Sequence, residues 1–130
     1  IGFRGYTLQR LTGKFGVWPA VSLTALIFGL SHLLYGWELQ TILLGVVPFG
    51  FVWGMSAIAT QGLAIPIGLH AAWNFAGWFA GARSEVGPLR MIVEENPASI
   101  AATVGLASYL SICLVTTIVF WIVHRRAHTD

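Results

Sequence analysis

The stretch Ile65–Phe79, IPIGLHAAWNFAGWF, decides the fold. It is apolar enough to form the body of a membrane-spanning helix, yet it carries His70 and Asn74 four residues apart. Four residues make about one helical turn, so both polar side chains lie on the same face. An imidazole and an amide in such a segment are costly unless they face the protein interior or a wet cavity. The stretch therefore predicts a membrane bundle with a polar site inside it.

The composition extends this interpretation to the whole chain. Of the 130 residues, 56% are hydrophobic and 9% are charged, and the mean hydropathy is +0.76. This balance lies outside the range of soluble domains, and the length fits one helical bundle. No nucleic-acid-binding motif is visible, so the expected partner is membrane lipid and not nucleic acid. The single cysteine, Cys113, cannot form a disulfide within one chain.

The hydropathy pattern predicts an all-α, polytopic membrane helical bundle with about four transmembrane helices. Residues 1–14 look like the end of a truncated helix that precedes them, and 1–130 is treated as a single core. The predicted spans are about 17–36, 39–60, 62–82 and 98–123. Trp18 and Trp37 flank the first span at a separation that fits a hydrocarbon thickness of about 30 Å. Gly50 and Gly54 form a small-residue face for close helix contact.

An even number of spans returns the chain to its starting side of the membrane. The basic residues near the two ends then share one face; they are Arg4, Arg10, Lys14, Arg125 and Arg126. The loop at 83–97, which ends in Asn96 and Pro97 as a helix start, lies on the opposite side. The excess of basic residues predicts that the termini are cytoplasmic.

A second histidine, His32, lies deep in the first predicted span, with Phe28 one turn before it. Helices with tight contact faces can bring His32, His70 and Asn74 into one cavity. Two intramembrane histidines taken alone are a functional-site hypothesis.

Three local patterns occur in order along the chain. They are IGFRG at the start, Phe28-x-x-x-His32, and His70-x-x-x-Asn74 within AIPIGLHAAWNF. In order and spacing they resemble the signatures of the CPBP intramembrane proteases, also described as type II CAAX prenyl endopeptidases or abortive-infection-like proteins. The first signature of that family is Glu-Glu-x-x-x-Arg, and Arg4 matches its arginine. The two glutamates would stand just before Ile1, so we expect this chain to be a fragment that is inactive without them.

The resemblance implies an intramembrane endopeptidase, in a bacterial cell membrane, that cuts a hydrophobic or lipid-modified peptide or protein. In it, an upstream glutamate and His32 would activate water, while His70 and Asn74 would stabilise the oxyanion. Arg4 would orient the glutamates. Two histidines and a glutamate also suit a catalytic zinc ion, for which the family has been called metalloprotease. We favour a mechanism without a cofactor, and zinc stays open.

Other interpretations of the same residues remain at this stage. Two histidines on separate helices can ligate a haem. A non-catalytic scaffold, or a bacteriocin immunity or maturation factor of the same family, would keep the bundle without the glutamates. His32 alone is equally a hydrogen-bonded core residue, Asn74 equally a bridge between helices, and Arg4 equally an interfacial side chain that reaches water.

Overall fold

The computed structural model describes residues 4–81, 87–89 and 98–128, with the first four residues of the last range given as backbone only. These residues form helices and no strand, which confirms the all-α class. The α-helices are α1 (Tyr6–Phe15), α2 (Val17–Leu30), α3 (Leu39–Thr41), α4 (Val47–Thr60), α5 (Ala64–Phe79) and α6 (Ala98–Arg126). A 3₁₀ helix, Ser31–Tyr35, extends α2, and a π-helical segment, Ile42–Val46, joins α3 to α4.

Within the described ranges, three helices are long and apolar enough to cross a membrane. They are Val17–Tyr35, Leu39–Thr60 and Ala102–Arg126. They correspond to the first, second and fourth predicted spans. The third predicted span, 62–82, contains α5, whose 16 residues are shorter than these helices and span about 24 Å at 1.5 Å per residue. The predicted loop at 83–97 and its helix start lie outside the described residues, except for 87–89.

The N-terminal helix α1 folds back on α2 as a tight hairpin. Gly16 supplies the turn with a φ of 85°, a value that favours glycine, and its N–H donates to the Thr12 carbonyl at 2.9 Å. Leu8 on α1 is fully buried in a cluster with Val21 of α2 and Met55 of α4. The hairpin therefore holds the start of α1 against the middle of the bundle.

The central element is α4, which contacts α2, α5 and α6. The predicted small-residue face is confirmed: Gly50 lies against Ala25, and Gly54 lies against Val21. Before this face, Pro48 cannot donate the backbone hydrogen bond of an ordinary turn. The helix meets this constraint by widening into the π-helical segment just before it.

The outer helices α5 and α6 bury little of their surface in the bundle. Pro66 is the buried residue of α5, and 11% of the most apolar stretch of α6 is buried. Many of their large apolar side chains are exposed, including Phe75 and Leu114. Apolar surface of this extent suits contact with lipid, and α5 carries two of the predicted site residues against α4.

Candidate functional site

A cavity of about 560 Å³ lies among α2, α4, α5 and α6, and three of the predicted site residues line it: His32, His70 and Asn74. Aromatic side chains form most of the remaining wall; they are Phe28, Trp37, Phe49, Trp53, Trp73 and Tyr109. The structure thus brings together, from two separate helical segments, the polar residues that the sequence placed on different predicted spans. The wall combines a few polar groups with a broad apolar surface, as ligand cavities commonly do.

His32 lies in the 3₁₀ helix that ends the first span. Its Nδ1 is 3.0 Å from the Phe28 carbonyl oxygen. A carbonyl only accepts hydrogen bonds, so Nδ1 carries the proton and Nε2 of the neutral ring keeps its lone pair. His32 therefore offers a base, and the Phe28 hydrogen bond fixes which nitrogen provides it.

His70 lies in the first half of α5, with its ring flat on the indole of Trp53. The two ring centroids are 4.3 Å apart and the planes differ by 13°. Asn74 follows one turn later on the same helix and lines the same cavity. The four-residue spacing thus places both side chains on one face of α5, as predicted, and both line the cavity.

Phe28 connects the two histidines. Its ring meets the His32 ring edge-on at a centroid distance of 5.0 Å and the His70 ring edge-on at 6.2 Å. Phe28, one turn before His32, thus contacts both imidazole rings with one side chain. The Phe-x-x-x-His spacing therefore has a packing role besides any chemical one.

Arg4 is 8% exposed, so it is a buried residue and not an interfacial side chain that reaches water. Its Nη1 donates to the Gly50 carbonyl at 2.7 Å, and its guanidinium lies 5.0 Å from the centroid of Phe28 and 5.3 Å from that of Trp53. Its Nη2 is buried without a hydrogen-bond partner among the described residues. Arg4 also lines a second cavity, of about 150 Å³, with Trp53 and His70.

Sequence reasoning missed two residues of the site, Trp53 and Tyr109. Trp53 is 5% exposed, packs in the interior of the bundle and lines both cavities. The Tyr109 hydroxyl donates a hydrogen bond to the Gly45 carbonyl, so α6 is tied to the π-helical segment at the cavity wall. The four-residue spacing of Phe49 and Trp53 on one face of α4 was the available signal for Trp53; Tyr109 offered none, because its partner is far away in sequence.

A metal ion at the site would need ligands from the side chains around it. A catalytic zinc site takes three protein ligands from histidine, cysteine and carboxylate side chains. Across 4–81, 87–89 and 98–128, no group of three such residues is close enough together to hold an ion. The two imidazoles of the site, His32 and His70, do not fit a zinc ion by themselves.

Fold and site together define a helical integral membrane protein in which two histidines and an asparagine line an aromatic cavity and an arginine is buried beside it. Residues 1–76 match the family model described as Type II CAAX prenyl endopeptidase Rce1-like. The match covers more than half of the 130 residues, and the chain belongs to this family, as its motifs predicted. Arg4, His32, His70 and Asn74 all lie inside the matched stretch. No curated protein and no solved structure shows a match to the chain.

Proposed function

We propose that this protein is an intramembrane endopeptidase that hydrolyses a peptide bond in a membrane-associated substrate. The observation that carries the proposal is the single cavity that His32, His70 and Asn74 line within the family-matched part of the chain. An imidazole base and preorganised donors are the groups that acyl transfer to water requires.

His32 supplies the base in this proposal. With Nδ1 donating to the Phe28 carbonyl, Nε2 accepts a proton from a water molecule in the cavity. The water oxygen then bonds to the carbonyl carbon of the substrate, and the carbonyl oxygen becomes an oxyanion. Breakage of the carbon–nitrogen bond follows, and the departing amine takes the proton from His32, which returns the ring to its neutral state.

His70 and Asn74 supply the donors for the oxyanion. One N–H from the imidazole and one from the amide give the developing negative charge two fixed partners in a site walled by aromatic rings. Such partners stabilise the transition state more strongly than water does, because they need no reorganisation. The one-turn spacing on α5 allows both groups to address the same oxygen.

Arg4 gives the site a buried positive charge. Burial of a cation is costly unless an acceptor or an anion compensates it. Nη1 has the Gly50 carbonyl, whereas Nη2 has no partner among the described residues. This arrangement supports a carboxylate next to Arg4, as the resemblance implies, which would share the activation of water with His32.

The substrate class in this proposal is a hydrophobic or lipid-modified peptide or protein. The cavity presents aromatic rings on most of its wall and opens among helices whose outer surfaces are apolar. A segment that enters from lipid would keep its apolar surface in contact with apolar surroundings throughout. We further expect the basic ends of the chain to face the cytoplasm of a bacterial cell.

The test uses the natural full-length protein in lipid nanodiscs, with a farnesylated CAAX peptide carrying a fluorophore and a quencher as the reporter. We expect His32→Ala to abolish cleavage and Asn74→Ala to lower kcat by about 10²–10³-fold, the usual loss for one oxyanion donor. The matched control is Gln40→Ala, an exposed amide on α3. Cleavage that all three variants retain would refute the proposal.

The same preparation discriminates the other interpretations. Soret absorption lost with His70→Ala would identify a haem protein. Stoichiometric zinc lost with His32→Ala would replace the metal-free mechanism. Absence of cleavage with every lipid-modified and unmodified reporter would favour a scaffold or an immunity factor.

A further inference from the structure

Trp53 contacts several residues of the candidate site. It stacks on His70, lies under the guanidinium of Arg4 and meets the ring of Phe28 edge-on at 5.5 Å. It also lines both the larger and the smaller cavity, as Phe28 and His70 do. One side chain on the central helix thus touches three residues of the site.

We propose that Trp53 is the positioning residue of the site, and that its indole face sets the plane and the reach of the His70 imidazole. The proposal deepens the proposed function, because it concerns how one of the two oxyanion donors is held. In this proposal α4, which carries no predicted catalytic residue, supplies the side chain that holds the His70 ring in place.

The packing of α5 explains why His70 needs such a support. Pro66 is the buried residue of that helix, so α5 itself leaves the histidine side chain half-exposed toward the cavity. The orientation of a half-exposed histidine ring is set by the side chains that contact it. A flat indole 4.3 Å away restricts the ring to one plane, and the interplanar angle of 13° shows this parallel arrangement.

The Trp53 side chain is itself held firmly in the bundle. Trp53 is 5% exposed and is packed in a cluster with Val52 and Cys113. One residue further along α4, Gly54 lies against Val21 of α2, so a shift of the helix would break a close contact. Displacement of a catalytic group by about 1 Å can cost about 10²-fold in rate. Holding the His70 ring in place through Trp53 can therefore affect kcat as much as a catalytic group does.

The indole also carries a polar atom. Its Nε1 is buried without a hydrogen-bond partner in the part of the chain that is described. Phenylalanine keeps a flat face at this position but lacks the N–H, whereas leucine lacks both. The pair Trp53→Phe and Trp53→Leu therefore separates the stacking surface from the donor.

The first arm of the test measures cleavage by these two variants in nanodiscs. We expect Trp53→Leu to lower kcat by up to about 10²-fold with little change in KM, and Trp53→Phe to retain most of kcat. Trp121→Leu, which removes a half-buried tryptophan packed on Trp18, is the control for loss of an aromatic side chain elsewhere. If Trp53→Phe and Trp53→Leu are equally impaired, the N–H and not the plane matters, and the proposal is overturned.

The second arm does not depend on proteolysis. In ring-labelled protein, the His70 resonances are assigned by their loss in His70→Ala, and the stacked indole shifts its ring protons upfield. We expect Trp53→Leu to abolish that shift and Trp53→Phe and Trp121→Leu to keep an upfield shift. A shift unchanged in Trp53→Leu would refute the stacking. Loss of the upfield shift in Trp53→Leu together with undiminished cleavage would refute the positioning role. If only the proposed function is wrong, the unmodified protein will show the upfield shift of the His70 ring protons but will not cleave the reporter.

Discussion

Gly50→Ala tests a close contact between α2 and α4. A Cβ built at Gly50 would lie 2.8 Å from the Cβ and 3.0 Å from the Cα of Ala25. The first distance is shorter than real Cβ contacts, and the second involves backbone, which cannot rotate away. The helices α2 and α4 must therefore separate to admit one methyl group, and overpacking of this kind typically costs about 1–3 kcal/mol.

The assay is unfolding in detergent micelles, followed by circular dichroism. We expect Gly50→Ala to lower the free energy of unfolding by about 1–3 kcal/mol. Gly68→Ala is the matched control, since nothing lies within 4 Å of a Cβ at that helical glycine. There the same chemical change should raise stability by up to about 1 kcal/mol, the difference in helix propensity.

A double variant decides whether the contact itself is responsible. Ala25→Gly removes the nearest atom but leaves the backbone of residue 25 in place, so it should restore part of the stability that Gly50→Ala loses. If Gly50→Ala is as stable as Gly68→Ala, or if the two changes at the contact simply add, then close packing of α2 on α4 does not hold the bundle together.

Three further predictions concern single side chains. Tyr109→Phe removes the hydrogen bond to the Gly45 carbonyl and should lower the free energy of unfolding by about 1 kcal/mol in the same micelles; an unchanged value would mean that the bond is not formed. Arg4→Met removes the donor to the Gly50 carbonyl and the charge that would face a carboxylate, so the free energy of unfolding should fall and cleavage of the reporter should be lost; retained cleavage would contradict a role for Arg4 in the site. Cys113 is buried, so a water-soluble maleimide should label it only after denaturation; rapid labelling of the folded protein would contradict that burial.

Local patterns predicted the class, the helical segments and the residues of the site. The pair His70 and Asn74 and the pair Phe28 and His32 each lie one turn apart, so their shared faces follow from helix geometry alone. Gly50 predicted close helix contact for a similar reason, because the absence of a side chain is itself a sequence feature.

The local helix geometry did not follow from the sequence patterns. His32 was placed in the first span, whose end tightens into a 3₁₀ helix that stops at Gly36 in the left-handed region, with a φ of 75°. Before Pro48, the chain widens into a π-helical segment. Hydropathy averages over about a turn or more, so it reports the presence of a span and not the local geometry within it.

The sequence by itself determined that the chain is a membrane helical bundle, that it belongs to its protease family, and that four polar residues are candidates for its site. These properties depend on composition and on spacings of about one turn within a single helix, which do not change with the way the helices pack. The tertiary structure alone decided that Arg4 is buried at the Gly50 carbonyl and that Trp53 lies flat on His70. Those contacts join residues on different helices, and their formation depends on how the helices pack.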